Sequence, residues 1–150
     1  MPHTLRTDGA ARGNPGPAGI GVILEDDSGE TLEQLAKGIG WATNNVAEYQ
    51  ALIEGLGIAR THEVEHLVVV SDSKLLVEQM SGNFKVKSKG LRPLHAEARE
   101  LASSFKSIRF KTVPRSGNAA ADSLANEGID AWIRENPDAT PPEPAQRELF

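Results

Sequence analysis

The first forty residues carry their apolar side chains at a two-residue period, and the rest of the chain then alternates between helical and extended patterns. Ile20, Val22 and Leu24 fall on every second position, as a packed strand requires. LRTDGAAR, AGIGVILEDD and ETLEQLAKGIG read as three strands, divided by turn signals at 13–17 (Gly-Asn-Pro-Gly-Pro) and 27–29 (Asp-Ser-Gly). Turns this short predict an antiparallel meander. After Thr43-Asn44-Asn45 the apolar residues Val46, Ala47, Leu52, Ile53 and Leu56 adopt helical spacing, with Thr43 or Asn44 as the N-cap. HLVVVSDS follows, and its unbroken run from Leu67 to Val70 predicts a central strand buried on both faces. SKLLVEQM reads as a short helix, Gly82 and Gly90 bracket a basic loop, and LRPLHAEARELASSF is an amphipathic helix carrying Leu94, Ala98, Leu101 and Phe105. IRFKTV alternates as a strand, and Asn118 is the expected cap of a last helix ending near Arg134.

The predicted order is βββ-α-β-α-α-β-α, which implies an α/β fold: a mixed sheet with helices on its faces. Residues 1–136 are expected to form one domain. Residues 137–150, PDATPPEPAQRELF, hold four prolines and little to bury, and are expected to be a disordered tail.

Composition narrows the classes further. With 150 residues, 39% hydrophobic and 25% charged, the chain has the size and balance of one soluble domain. No run of 18 apolar residues is present, so no membrane contact is expected, and the N-terminus lacks the apolar stretch of a secretory signal. The absence of cysteine excludes disulfide scaffolds, thiolate metal sites and cysteine nucleophiles, and fits a reducing, cytoplasmic setting.

The net charge of −5 argues against a polyanionic partner until its distribution is considered. Residues 1–126 hold 15 acids and 14 bases, whereas 127–150 hold 6 acids and 2 bases, so most of the excess acid is C-terminal. Residues 83–92 carry Lys85, Lys87, Lys89 and Arg92 with no acid, and residues 106–115 carry Lys106, Arg109, Lys111 and Arg115 with none. Such clusters are either solvated faces or phosphate contacts beside a site.

Four carboxylates are conspicuous by placement. Asp8 lies inside the first strand, Glu48 in the first turn of the helix after TNN, Asp72 at the end of the buried strand, and Asp122 in the first turn of the last helix. The carboxyl end of a central strand is where an open α/β sheet presents ligands, and an unpaired buried charge such as Asp8 is costly. Each also has a plain structural role open to it. Glu48 and Asp122 suit helix N-terminal dipoles; Asp72 suits a cap, with Ser73 as the alternative; Asp8 suits hydrogen bonds from a neighbouring turn. If the four converge, their repulsion calls for cations. Mg²⁺ or Mn²⁺ prefers oxygen ligands, and a pair of ions about 3.5–4 Å apart suits in-line phosphoryl displacement. Zinc is not expected, because His3, His62, His66 and His95 lie outside the acidic motifs.

TDGAARGNPGPAGIGVIL, TNNVAEYQALIEGL, VVVSDSKLLVEQM and VPRSGNAAADSLAN, in this order, resemble ribonuclease HI over residues 4 to about 134. The resemblance implies the ribonuclease H fold, a five-stranded mixed sheet in the order 3-2-1-4-5. It also implies a metal-dependent endoribonuclease that cuts the RNA strand of an RNA–DNA hybrid, leaving 5′-phosphate and 3′-hydroxyl ends. Carried over, Asp8, Glu48, Asp72 and Asp122 are catalytic and hold two Mg²⁺ ions, with Mn²⁺ as a substitute and Asp8 shared between them. Glu48 would lie near the RNA 2′-hydroxyl, the group that distinguishes RNA from DNA. Arg12, Asn14, Thr43, Asn44, Asn45 and Asn118 match substrate-contact positions; turn formation and capping are the alternatives for Asn14, Thr43 and Asn44. A monomer is expected on the same basis.

Two departures from the family pattern stand out. The loop before the last helix reads VPRSGN and lacks the histidine many members have there, so Arg115 is a candidate for steering phosphate. The motif matches a branch with Arg-x-x-Asn, some members of which also cut duplex RNA. The basic handle of some relatives is also missing; 82–90 is a short loop in which Lys85, Lys87 and Lys89 are partial replacements, and salt-sensitive, weak substrate binding is expected. Gln146-Arg147-Glu148-Leu149-Phe150 resembles the peptide by which bacterial replication proteins dock on the sliding clamp. Gln146, Leu149 and Phe150 would then be its contacts, the alternative being that they pack on the body. A catalytically silent nucleic-acid-binding module is the competing function class.

Overall fold

The computed structural model describes residues 2–141. Gln146, Leu149 and Phe150 therefore lie outside the described residues. Three strands, β1 (His3–Ala11), β2 (Gly16–Glu25) and β3 (Thr31–Ala42), precede the helix α1 (Asn44–Thr61). There follow β4 (His66–Ser71), α2 (Lys74–Met80), α3 (Arg92–Ala102), β5 (Ser107–Thr112) and α4 (Ala119–Glu135). A 3₁₀ turn, Arg115–Asn118, leads into α4. The sheet order is β3-β2-β1-β4-β5, as the resemblance implied. β1, β2 and β3 pair antiparallel, while β4 lies parallel to both β1 and β5.

Pleat alternation divides the side chains between the two faces. Leu5, Leu67 and Val69 join the core beneath α1, together with Leu52, Leu56, Leu76, Ala98 and Phe105. α4 packs on the opposite face, over β1, β2 and β3. No described helix is long and apolar enough to cross a membrane.

Some local expectations are corrected. α3 stops at Ala102 and does not reach Phe105, because the Ser103 and Ser104 hydroxyls turn back to the carbonyls of Glu100 (2.6 Å) and Leu101 (2.7 Å). Such side-chain bonds compete with helix propagation. Phe105 is buried all the same, from the loop. β4 is not buried throughout on both faces: Leu67, Val69 and Val70 are buried, but Val68 is half-exposed on the side of α4. The reason is non-local, since α4 spans only β1–β3 and leaves that part of β4 uncovered.

Candidate active site

Asp8, Glu48 and Asp72 meet at one end of the sheet. Each contributes an oxygen, and the three oxygens lie within 4.8 Å of one another. Asp8 comes from β1, which pairs with β4, and Asp72 directly follows Ser71 at the carboxyl end of β4. Ser73 caps α2 by accepting from Leu76 N at 3.2 Å, so Asp72 is free of that duty. Asp122 lies in the first turn of α4 and lines the same cleft, which also takes in Asn44, Asn45 and Arg115 and has a volume of about 340 Å³.

Glu48 requires a correction. It lies beyond the first turn of α1, at the fifth helical residue, and so does not serve the helix dipole there. Its carboxylate accepts the backbone N–H of Gly9, next to Asp8. This contact depends on a glycine: a Cβ on Gly9 would sit 2.1 Å from the carbonyl carbon of Ala47. Gly21, the β2 partner of Asp8, does the same for α4, since a Cβ there would lie 2.1 Å from Ala121 O. Both glycines build the site without being among the residues expected there. The available signal was glycine inside a strand, which marks close backbone approach.

The electrostatics follow from burial. Asp8 and Glu48 are 4% and 8% exposed. Loss of water, then the charges of Glu48 and Asp72, holds the Asp8 carboxyl well above the usual carboxylate range, and Asp122 adds to the rise. Burial raises Glu48 in the same direction; the Gly9 N–H opposes it, Asp72 adds to it, and the Arg115 guanidinium opposes it. A cluster of hard oxygen donors under this repulsion is suited to a divalent cation that keeps part of its water, as Mg²⁺ does.

The other candidates take varied positions. Asn44 and Asn45 line the cleft. Asn44 Oδ1 also accepts from Ala11 N at 2.9 Å, and Asn14 Oδ1 accepts from Asn44 N at 3.1 Å, so the β1–β2 turn and the start of α1 are pinned together. Thr43 caps α1, accepting from Val46 N at 3.2 Å. Arg12 pairs with Asp130 of α4 at 2.6 Å, outside the cleft lining. Lys85, Lys87 and Lys89 are exposed on the loop between α2 and α3, also away from that lining. Asn118 is corrected on two counts: its side chain does not cap α4, and it is buried, 2% exposed, with its amide donating inward to Thr7 O at 2.9 Å. It supports the strand that carries Asp8 instead of facing solvent. His62, His66 and His95 bond to Glu33, Ser107 and Gln79, outside the lining of the cleft.

Comparison with known proteins agrees with this fold. Residues 6–128 match the family model described as reverse transcriptase-like. The bifunctional protein Rv2228c of Mycobacterium tuberculosis is 48% identical over 87% of this chain, which spans 36% of that protein. Ribonuclease HI of Halobacterium salinarum is 41% identical over 82% of this chain and 62% of its own length, and its crystal structure superimposes with a TM-score of 0.84. This chain thus spans less than two thirds of these curated relatives. A structure of LC11-RNase H1 in complex with RNA/DNA hybrid is 41% identical, with a TM-score of 0.83, over 87% of this chain and 99% of that one.

Proposed function

From the premise that the chain belongs to the ribonuclease H family, within the reverse transcriptase-like group, we propose that it is an endoribonuclease that hydrolyses the RNA strand of RNA–DNA hybrids. The observation that carries the reading is the meeting of Asp8, Glu48 and Asp72 oxygens within 4.8 Å, in a cleft shared with Asp122 and Arg115. The hybrid bound to LC11-RNase H1 supports the choice of substrate.

The reaction balances as a hydrolysis. A water oxygen bonds to phosphorus, the bond from phosphorus to the 3′-oxygen breaks, and that oxygen takes a proton, leaving 5′-phosphate and 3′-hydroxyl ends. Asp8, Glu48, Asp72 and Asp122 would hold Mg²⁺, two ions in the full site; when bound, the metal supplies Lewis-acid stabilisation of the attacking and leaving oxygens. The chain's own residues do the rest. Gly9 holds the Glu48 carboxylate in place, Asn44 and Asn45 offer polar groups along the cleft, and Arg115 supplies a guanidinium fork for a phosphate oxygen.

The test is a gel of labelled hybrid, duplex RNA and duplex DNA with Mg²⁺, Mn²⁺ or EDTA, run beside Asp72→Asn. Metal-dependent cutting of hybrid RNA, lost in the variant, is expected. Binding without cutting under either metal would overturn the reading in favour of a silent binding module, and cutting of duplex RNA would widen the substrate class. The Gln146–Phe150 segment carries a separate proposal of docking on a sliding clamp. Deletion of the last five residues is expected to abolish clamp binding at unchanged Tm, whereas a large drop in Tm would favour packing on the body.

A further inference from the structure

Part of one sheet face has no helix above it. α4 covers β1, β2 and β3, and beyond it Val68 of β4 is only partly buried while Arg109 and Lys111 of β5 are exposed. Register places Val68 beside Arg109 and Val70 beside Lys111, and alternation turns these four to that side, as it does Arg6 of β1; Val70 is buried there. Arg6 is neutralised by Glu25 at 2.9 Å. Arg109 and Lys111 are both exposed, and among the described residues neither makes an ion pair. Beyond Lys111 the chain runs through Val113 to Arg115, which lines the carboxylate cleft. The row Arg109, Lys111, Arg115 leads out of the cleft, whose own acids Asp8, Glu48, Asp72 and Asp122 stand beside Arg115 at its inner end. At the far end a shallow groove of about 360 Å³ lies among Pro2, His66, Val68 and Arg109.

Spacing and charge point to one partner. A strand rises about 3.3 Å per residue, so Arg109 and Lys111 stand about 6.6 Å apart. That is about two rises of a nucleic-acid strand, whose phosphates advance ~3.4 Å along the axis. We propose that the exposed β5 side of this sheet face is an accessory surface for the phosphate backbone of the substrate, held by Arg109 and Lys111 where it continues past the cleft. The identity of that nucleic acid, an RNA–DNA hybrid, rests on the function proposed above. Basic residues on an edge strand such as β5 also discourage strand-to-strand association. Charge of either sign serves that purpose, whereas a phosphate surface requires positive charge.

The experiment compares wild type with the Arg109→Glu/Lys111→Glu pair, binding a labelled hybrid of about 20 base pairs in EDTA across a salt series. Each lost phosphate contact removes about 0.9 from the slope of log affinity against log salt. The variant's slope is therefore expected to be shallower by about 1.8. Between about 50 and about 200 mM salt, wild type would then lose about tenfold more affinity than the variant. In Mg²⁺ the loss is expected in KM and not in kcat. If the glutamate pair fails to fold, Arg109→Gln/Lys111→Gln gives the same comparison. Equal slopes would overturn the proposal, as would self-association of the glutamine pair with an unchanged slope. Wild type that binds hybrid without cutting it would sink the proposed activity, while the slope comparison would still decide the surface.

Discussion

The side-chain amide of Asn118 donates to the carbonyl oxygen of Thr7 at 2.9 Å, tying the residue before α4 to the residue before Asp8. The bond joins two stretches 111 residues apart, and through it the helix carrying Asp122 is held against the strand carrying Asp8. Among the described residues Asn118 Oδ1 has no partner, and the donor side of the amide provides the contact. Asn118→Ala is expected to cost about 1–3 kcal/mol, because the Thr7 carbonyl loses its partner from this side chain. Asn118→Asp is expected to cost more: it cannot donate when ionised and adds a charge near Asp8. Thermal unfolding of both variants checks this order, and an aspartate variant as stable as wild type would refute it.

Gly9 and Gly57 should respond oppositely to alanine. A Cβ on Gly9 would lie 2.1 Å from backbone of α1, whereas one on Gly57, within the same helix, meets none of the described residues within 4 Å. Gly9→Ala is expected to destabilise by about 1–3 kcal/mol through overpacking, and to abolish cleavage by displacing Glu48. Gly57→Ala is expected to stabilise by roughly 0.5–1 kcal/mol. Denaturant midpoints and a cleavage assay read both, and a fully active Gly9→Ala protein would show that the close approach is dispensable.

The raised Asp8 and Glu48 carboxyls give stability a definite pH dependence without metal. In the unfolded chain these groups ionise in the ordinary carboxylate range; in the fold they hold their protons to higher pH. The folded state therefore binds more protons, and stability falls as pH rises above that range toward the raised values. In EDTA, Tm is expected to decline over that interval, and Asp8→Asn to flatten the decline. Mg²⁺ should raise Tm more at the alkaline end than at the acid end, by mass action on the ionised cluster. A metal-free Tm that climbs with pH over the same interval would contradict the assignment.

Arg115 is exposed, lines the cleft and opposes the rise in the Glu48 pKa. Arg115→Ala is expected to lower kcat/KM on hybrid by about tenfold or more, the scale of one charge-assisted contact, and to change Tm little. Arg115→Lys should restore only part of the activity, since an ammonium lacks the planar fork. Unchanged turnover and affinity in the alanine variant would remove Arg115 from the site.

Much of the fold was legible because its signals are local. Two-residue and helical periods, the turns at 13–17 and 27–29, and the Thr43 cap all act over a few residues, and the strands and helices follow them. The four carboxylates were legible as well, since each sits at an element position where a charge needs a reason, and four ordered motifs resembled one family. Local pattern did not reveal depth or mutual approach. Glu48 was read as a first-turn acid, yet contact with Gly9 N from another element defines its place. Asn118 was read as a cap, yet the buried carbonyl of Thr7 claims its amide. Val68 was read as fully buried, yet α4 is placed over other strands.

The sequence by itself determined which segments become strands and helices, and which acids they carry, because backbone preference and hydrophobic period are properties of neighbouring residues. Only the tertiary structure decided that Asp8, Glu48 and Asp72 converge, that glycine at 9 permits the approach of α1 and glycine at 21 that of α4, and that Val68 is left partly exposed. Those features depend on the distance between elements far apart in the chain, which is set when the helices pack on the sheet.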